Sequence, residues 1–412
     1  MNQVFEHLLS TPEMLDVLNA QDFVAAMLQF EAALSTAQAD VGLIPASAAQ
    51  TIRSCCRVAT FDVPQLLADS SRAGSVAIPL VKALKDAVGR VDPAALPFTH
   101  FASTSQDVMD TAMALVTQRA MGLIERDTQH AVAALHALAE RHAGDPVLAR
   151  TLMQPASVTS FGLKCVGWAA PLVRSLQRLQ GPQGAGARAL SVQIGGAVGT
   201  NAAMKAFGPG VVKQVAAELG LRAAPAVWHT QRDEWVALGC ELGLLVGSVG
   251  KVAKDLSLMG QFEVAEVAEP TEPGRGGSSA MPHKHNPVAC MVALAASVRV
   301  PQRVAALLAA MPQEHERALG LWQAELAEWP GLLMAAHGAV HAMAHMLRGL
   351  QVNGLRMRAN LDAVRAAVPP DVADAWFNPA LAEHAAQQTH AQLAHQHAAL
   401  AAAHRPGKAR HE

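Results

Sequence analysis

The chain has 412 residues, a formal net charge of −2 and 51% hydrophobic residues. That is enough apolar material for one large core or two or three units, and too much for global disorder. The near-balanced charge gives no reason to expect nucleic acid or an anionic membrane as partner, although a local basic cluster can still hold a small anion. The opening MNQVFEHLLSTPE lacks the basic stretch and apolar run of a secretory signal, and no segment offers the ~18 clean apolar residues of a membrane span. Cys55, Cys56, Cys165, Cys240 and Cys290 lack paired metal spacing and read as thiols of a reducing compartment. A soluble cytoplasmic protein is expected.

The predicted elements are helical almost throughout. From Asp22, Phe23, Met27, Phe30 and Leu34 recur at helical spacing until Gly42 and Pro45 end the run. In THFASTSQDVMDT (99–111), Thr104 or Ser105 can cap the helix that follows, with Asp107 favourable in its first turn. Such a capped N-terminus, with spare hydroxyls and amides, also cradles anions. Helices are predicted over about 108–142 and 161–179. In WHTQRDE (228–234), His229, Gln231 and Arg232 precede the longest predicted helix and can place donors at its positive end; a surface-charge role is equally natural from these residues alone.

The segment Gln231–Glu269 contains no proline until it ends. Leu238, Leu242, Leu245, Val249, Val252, Leu256 and Met259 alternate by four and three, a heptad seam. Gly239, Gly243 and Gly247 repeat every four residues and predict a second face for close helix approach, because glycine costs ~1 kcal/mol inside a helix without a packing use. Two contact faces suit a bundle shared between subunits. Next comes GRGGSSAMPHKHNP (274–287), predicted as a flexible loop with Asn286 capping and Pro287 opening an apolar helix. A plain loop and cap leaves its serine pair, two histidines and lysine unexplained. In MPQEHERALGLWQAE (311–325), Arg317 is either a bidentate carboxylate ligand or a surface ion pair with Glu314 or Glu316. After Arg358 the character changes: Asn378 onward reads as weakly structured, with Gln387–His404 a solvated Ala-rich helix or tail. His390, His395, His397 and His404 lack the acidic or cysteine partners of a metal site.

The 274–287 loop resembles the G-S-S-x-M-P-x-K-x-N-P motif of the fumarase/aspartase superfamily. The 99–111, 228–234 and 311–325 segments, with FEAALSTAQADVGLIP and AIPLVKALKDAVG, resemble its cycloisomerase branch, so the match runs from about Phe23 to about Arg358. The resemblance implies an all-α fold with a central long-helix bundle, assembled as a homotetramer whose active sites are each built from three subunits. The expected division is 1–105 N-terminal helical domain, 106–350 central bundle and 351–412 shortened C-terminal segment. Ser278 becomes the catalytic base, with His229 and His100 as further catalytic candidates. Thr104, Ser105, Gln106, Gln231, Arg232, Lys284, Asn286 and Arg317 become substrate ligands. These types suit the chemistry: removing a proton alpha to a carboxylate needs a base, fixed cations and backbone donors that stabilise a serine alkoxide. The implied reaction is reversible lactonisation of a carboxylated cis,cis-muconate, a small tricarboxylate, in aromatic breakdown, with no metal or organic cofactor.

One position departs from the pattern. Where the superfamily carries a histidine often assigned as general acid, in Ala149–Lys164, this chain has Pro155. A lactone opens to a carboxylate, already a stable anion because carboxyl groups ordinarily titrate near pH ~4, so a cycloisomerase needs that acid least. Another lyase of the superfamily, such as an adenylosuccinate lyase, and an inactive helical scaffold remain the alternatives.

Overall fold

The computed structural model describes residues 2–403; His404 and the terminal RPGKARHE run lie outside them. Seven helices carry the architecture: α1 (Ala20–Asp40), α2 (Ser105–Arg141), α3 (Phe161–Leu179), α4 (Asp233–Met259), α5 (Val288–Ala309), α6 (Leu321–Arg348) and α7 (Leu381–Ala403). Strands β1 (Pro146–Thr151) and β2 (Gln154–Ser160) form an antiparallel hairpin between α2 and α3, and two further two-residue strand pairs complete the β-structure among the described residues. Helices α2, α4, α5 and α6 pack along one another as the bundle, with α1 and α3 on α2. The fold is all-α apart from these short ladders.

Local chemistry sets the ends. Asn19 starts α1 by accepting from the Asp22 amide at 2.8 Å, and Gly42, at φ +75°, turns the chain after it. At the head of α5 the predicted Asn286 cap is not used. Pro287 occupies the cap position with no side-chain bond, and the Glu269 carboxylate accepts from Ala289 and Cys290 at 3.0 and 2.9 Å. A carboxylate there also meets the positive end of the helix, and Asn286 is left to the loop.

The heptad seam of α4 is buried at every position from Leu238 to Met259. The helix ends at Met259, ten residues short of the expected Glu269, and Gly260 begins a turn. The glycine face has a different use from the one expected. A Cβ on Gly239 would meet Leu307 at 2.8 Å and one on Gly243 would meet Val304 at 3.2 Å, both on α5 of the same chain; only Gly247 faces open space. By length and composition α4 and α5 could each cross a membrane, contrary to the expectation of no such segment. The seam of α4 nevertheless lies inside this bundle. Leu244 on α4, with Met291, Val298 and Leu308 on α5, stay exposed.

The C-terminal expectation is corrected. Residues 381–403 form α7, which docks on α3 and the hairpin. Ala382, Ala385, Thr389, Leu393 and Gln396 are its buried stripe. Gln396 donates to the Val166 carbonyl at 3.3 Å, which turns its amide oxygen toward His136 Nε2 at 3.0 Å. His136 therefore donates from Nε2, and its bare Nδ1 accepts from His397 Nε2 at 2.7 Å. Burial holds the His136 ring below its ordinary value of 6.5, helped by His397 and opposed by the Gln396 bond and Glu140. A folded-state value below the unfolded one means the unlatched helix takes up the proton first. Docking is then strongest above about pH 6.5 and weakens as pH falls below it. Hydrogen exchange of α7 amides, measured relative to α2 amides at each pH, should accelerate on acidification in the native chain and not in His136→Asn.

Candidate active site

The site residues expected from the sequence form two groups. The first is built where α2, α4 and α6 begin. Asp107, fully buried in the first turn of α2, accepts from the amides of Thr104 at 3.1 Å, Gly195 at 3.0 Å and Gly196 at 2.9 Å, and from His229 Nε2 at 2.7 Å. One carboxylate thus fixes the cap of α2, the 195–196 turn and the strap leading into α4. A Cβ on Gly195 would come within 2.9 Å of the His229 ring, so only glycine lets the strap close. His229 is buried behind it.

Arg317 reaches this rim from the loop between α5 and α6. Its Nη1 donates to Thr104 Oγ1 at 2.8 Å and its Nη2 to Ser105 Oγ at 3.2 Å. Thr230 braces that loop by donating to the His315 carbonyl at 2.9 Å. Arg317 makes no ion pair among the described residues. Burial pulls its guanidinium below the usual value, with Asp107 and Asp110 pulling the other way. A half-buried guanidinium held only by neutral hydroxyls has the geometry to take a carboxylate in a bidentate pair.

His100 lies close by at φ +60°, its Nδ1 2.6 Å from Glu31 Oε1. Burial lowers its affinity for a proton, but the Glu31 charge and hydrogen bond outweigh that and raise it above 6.5. Gln231 is exposed at the head of α4.

Arg232 and Gln106, expected as substrate ligands, are committed elsewhere. Arg232 donates to Asp110 at 2.9 and 3.2 Å, to Glu325 through Nε at 3.1 Å and again through Nη2, and to the Trp228 carbonyl at 3.3 Å. All five guanidinium donors are used, and the group is 2% exposed over the face of Trp228. Gln106 spends both amide hydrogens on the His229 carbonyl at 2.8 Å and Asp110 at 3.2 Å. Trp322 adds a donor to Asp110 at 3.0 Å. Burial raises the Glu325 carboxyl, and the Arg232 charge offsets it. Asp110, Glu325 and the 195–196 turn were not singled out from sequence. The glycines of QIGGAVGTN were the one visible signal of the turn.

The second group is the loop before α5. Gly274 and Gly276 take positive φ, and the Asn286 amide donates to the Gly276 carbonyl at 2.7 Å, closing the loop on itself. Ser278 Oγ receives the amides of Met281 at 3.1 Å and Ala280 at 3.4 Å, donors of the kind that lower the cost of an alkoxide. Lys284 is exposed, Asn286 partly so, and a cleft of about 890 Å³ lies beside them, lined by Ser257, Glu272, Arg275, His285 and Asn286.

These groups do not meet within one chain. Arg232 precedes the first residue of α4 and Ser257 lies near its last turn; the 25 positions from one to the other at 1.5 Å each put roughly 40 Å between them. Pro155 is exposed on β2, opposite Arg150 and beside the Leu152–Met153 turn.

A protein-family model described as Lyase matches residues 9–301. A 3-carboxy-cis,cis-muconate cycloisomerase of Bradyrhizobium diazoefficiens is 43% identical over 356 residues, 86% of this chain and 78% of that protein. One from Pseudomonas aeruginosa is also 43% identical, over 87% of this chain and 78% of its own length. The crystal structure of the 3-carboxy-cis,cis-muconate lactonizing enzyme of Pseudomonas putida superposes with a TM-score of 0.87 at 34% identity, covering 98% of this chain and 100% of that one. The chain belongs to the fumarase/aspartase lyase family, in the branch that holds the 3-carboxy-cis,cis-muconate cycloisomerases.

Proposed function

We propose that this protein interconverts 3-carboxy-cis,cis-muconate and 4-carboxymuconolactone, as part of the breakdown of aromatic acids. The observation that carries the reading is Arg317, a half-buried cation poised on Thr104 and Ser105 with no acidic partner among the described residues. Supporting it are the names of the relatives and the Ser278–Lys284–Asn286 loop.

In the lactonising direction one substrate carboxylate oxygen attacks the diene and a C–O bond forms. The displaced π pair moves toward the carbon alpha to a second carboxylate, and that carbon takes a proton. Ser278 hands over this proton; in reverse it removes it. Lys284, Asn286 and Arg317 hold the carboxylates whose charge grows in between. A carboxylate becomes an ester while a C–H forms, so each turnover consumes one proton from solvent. The ring-opening leaving group is a carboxylate that needs no protonation, which suits an exposed proline at position 155.

The 40 Å between the two residue groups supports an active site pooled between subunits of a homotetramer, with the exposed apolar residues of α4 and α5 as contact surface. Adding purified protein to 3-carboxy-cis,cis-muconate should abolish the diene absorbance and take up one proton per molecule, and Ser278→Ala should do neither. If the wild-type chain assembles yet leaves the absorbance unchanged, the cycloisomerase reading fails, and a different lyase or an inactive scaffold replaces it.

A further inference from the structure

Midway along the bundle, far from the Arg317 rim, α6 carries His337 and His341 one turn apart. Asp127 of α2 faces them. His337 Nε2 lies 3.1 Å and His341 Nδ1 2.8 Å from the same oxygen, Asp127 Oδ2. The ligand atoms of all three lie within 4.8 Å of one another. Asp127 is 22 residues beyond Ser105 on one helix, about 33 Å away.

We infer that this is a binding site for a first-row divalent transition metal such as zinc or cobalt. Two imidazoles at i and i+4 on one helix form a chelate, and a carboxylate from a second helix completes a three-ligand set typical of such ions. Metal–nitrogen and metal–oxygen bonds of ~2.0–2.2 Å place neighbouring ligand atoms roughly 3 Å apart, close to the separations already present. The two histidine–carboxylate separations already match, and the two ring nitrogens lie within 4.8 Å of each other, so side-chain adjustment on one helix closes the set.

The surroundings are built for it. Thr11 Oγ1 stands 3.0 Å from His337 Nδ1 and can accept the ring proton there, leaving Nε2 bare for the metal. His341 is 42% exposed, so its other nitrogen can keep its proton toward water, and the same side leaves coordination positions for solvent. Arg126 holds the opposite oxygen, Asp127 Oδ1, at 2.9 Å, the outer hydrogen bond that ligating carboxylates commonly have. Arg126 also touches Oδ2 at 3.2 Å and pairs with Glu13 at 2.7 Å. Two carboxylates against one guanidinium leave the locality net negative before a dication arrives. The exposed His130 sits 3.5 Å from Oδ1. Bound metal would staple α6 to α2. One turn on, His345 Nδ1 lies 3.4 Å from Arg275 of the Ser278 loop, so the staple would brace the helix behind that loop.

The test is titration of the full-length protein, freed of metal by chelation, with Co2+ as the probe. The expected result is a visible ligand-field band that saturates at one Co2+ per chain and is displaced by Zn2+. His341→Gln, at a half-exposed position, should remain helical by circular dichroism and bind Co2+ weaker by more than the ~10–100-fold that loss of an outer-shell partner costs. His390→Gln/His395→Gln, which removes exposed histidines of α7, should bind as the native chain does. The inference is overturned if no band develops, if binding survives His341→Gln, or if it disappears with the α7 histidines.

Discussion

A mixture of Ser278→Ala and Arg317→Ala chains, each nearly inactive alone, should regain activity once the two are co-expressed and share one oligomer. Under the proposed mechanism, Ser278→Ala alone lacks the group that moves the proton and should fall by ~10²–10⁴-fold. Arg317→Ala loses the guanidinium that Thr104 and Ser105 hold in place and that is proposed to take a substrate carboxylate. If each site takes its loop from one subunit and its Arg317 rim from another, random mixing should leave about a quarter of sites with both parts intact, a consequence of symmetric assembly. Two differently tagged chains purified through both tags allow the measurement. Activity near zero in a confirmed mixed oligomer would place both groups in one chain, against the length of α4 that separates them.

The second large effect is on stability. Replacing Arg232 by Met should lower unfolding free energy by about 3–5 kcal/mol, the usual consequence of removing one partner from a buried ion cluster. Asp110 and Glu325, each about 1% exposed in their side chains, would be left facing each other without a cation. Their carboxyls would then titrate above the unfolded value, so the folded form binds more protons and the variant should regain stability as pH falls. Adding Glu325→Gln to Arg232→Met should recover part of the loss. The measurement is the urea midpoint at several pH values. A variant as stable as the native chain, but with weakened substrate binding, would return Arg232 to the role of substrate ligand.

The helices were legible because their signals are local: caps, glycines, and the seam from Leu238 to Met259. The motifs also pointed to Thr104, Ser105 and Arg317, which the fold brings together from positions 213 apart. What could not be read was commitment. Arginine is drawn the same way in a sequence whether its donors are spare or spent, and only Asp110 and Glu325, 215 residues apart, decide that for Arg232. The end of α7 was misread for a different reason. Its buried stripe is made of alanine, threonine and glutamine around a single leucine, and alanine-rich surfaces carry too little hydrophobic contrast to announce a docking face. The role of the glycines on α4 was likewise invisible, since the repeat shows that something approaches and not which chain supplies it.

The stacked indoles have an optical consequence. The chain has six tryptophans and no tyrosine, so its near-ultraviolet emission comes from indole alone. Trp228 stacks on Trp235 at 5.9 Å, and Trp235 on Trp329 at 4.2 Å. Trp322 stands nearby through its bond to Asp110. Four of the six fluorophores are therefore gathered along the head of the bundle, from Trp322 at Asp110 to Trp329 at Thr117, close enough to exchange excitation. Trp376, 58% exposed, lies away at the C-terminal end and emits as a solvated indole. An anion settling on Arg317 would alter the field on Trp322, the indole bonded to Asp110, and through it on the stacked three, while Trp376 stays as an internal reference, a built-in ratio by which anion binding at that rim could be read.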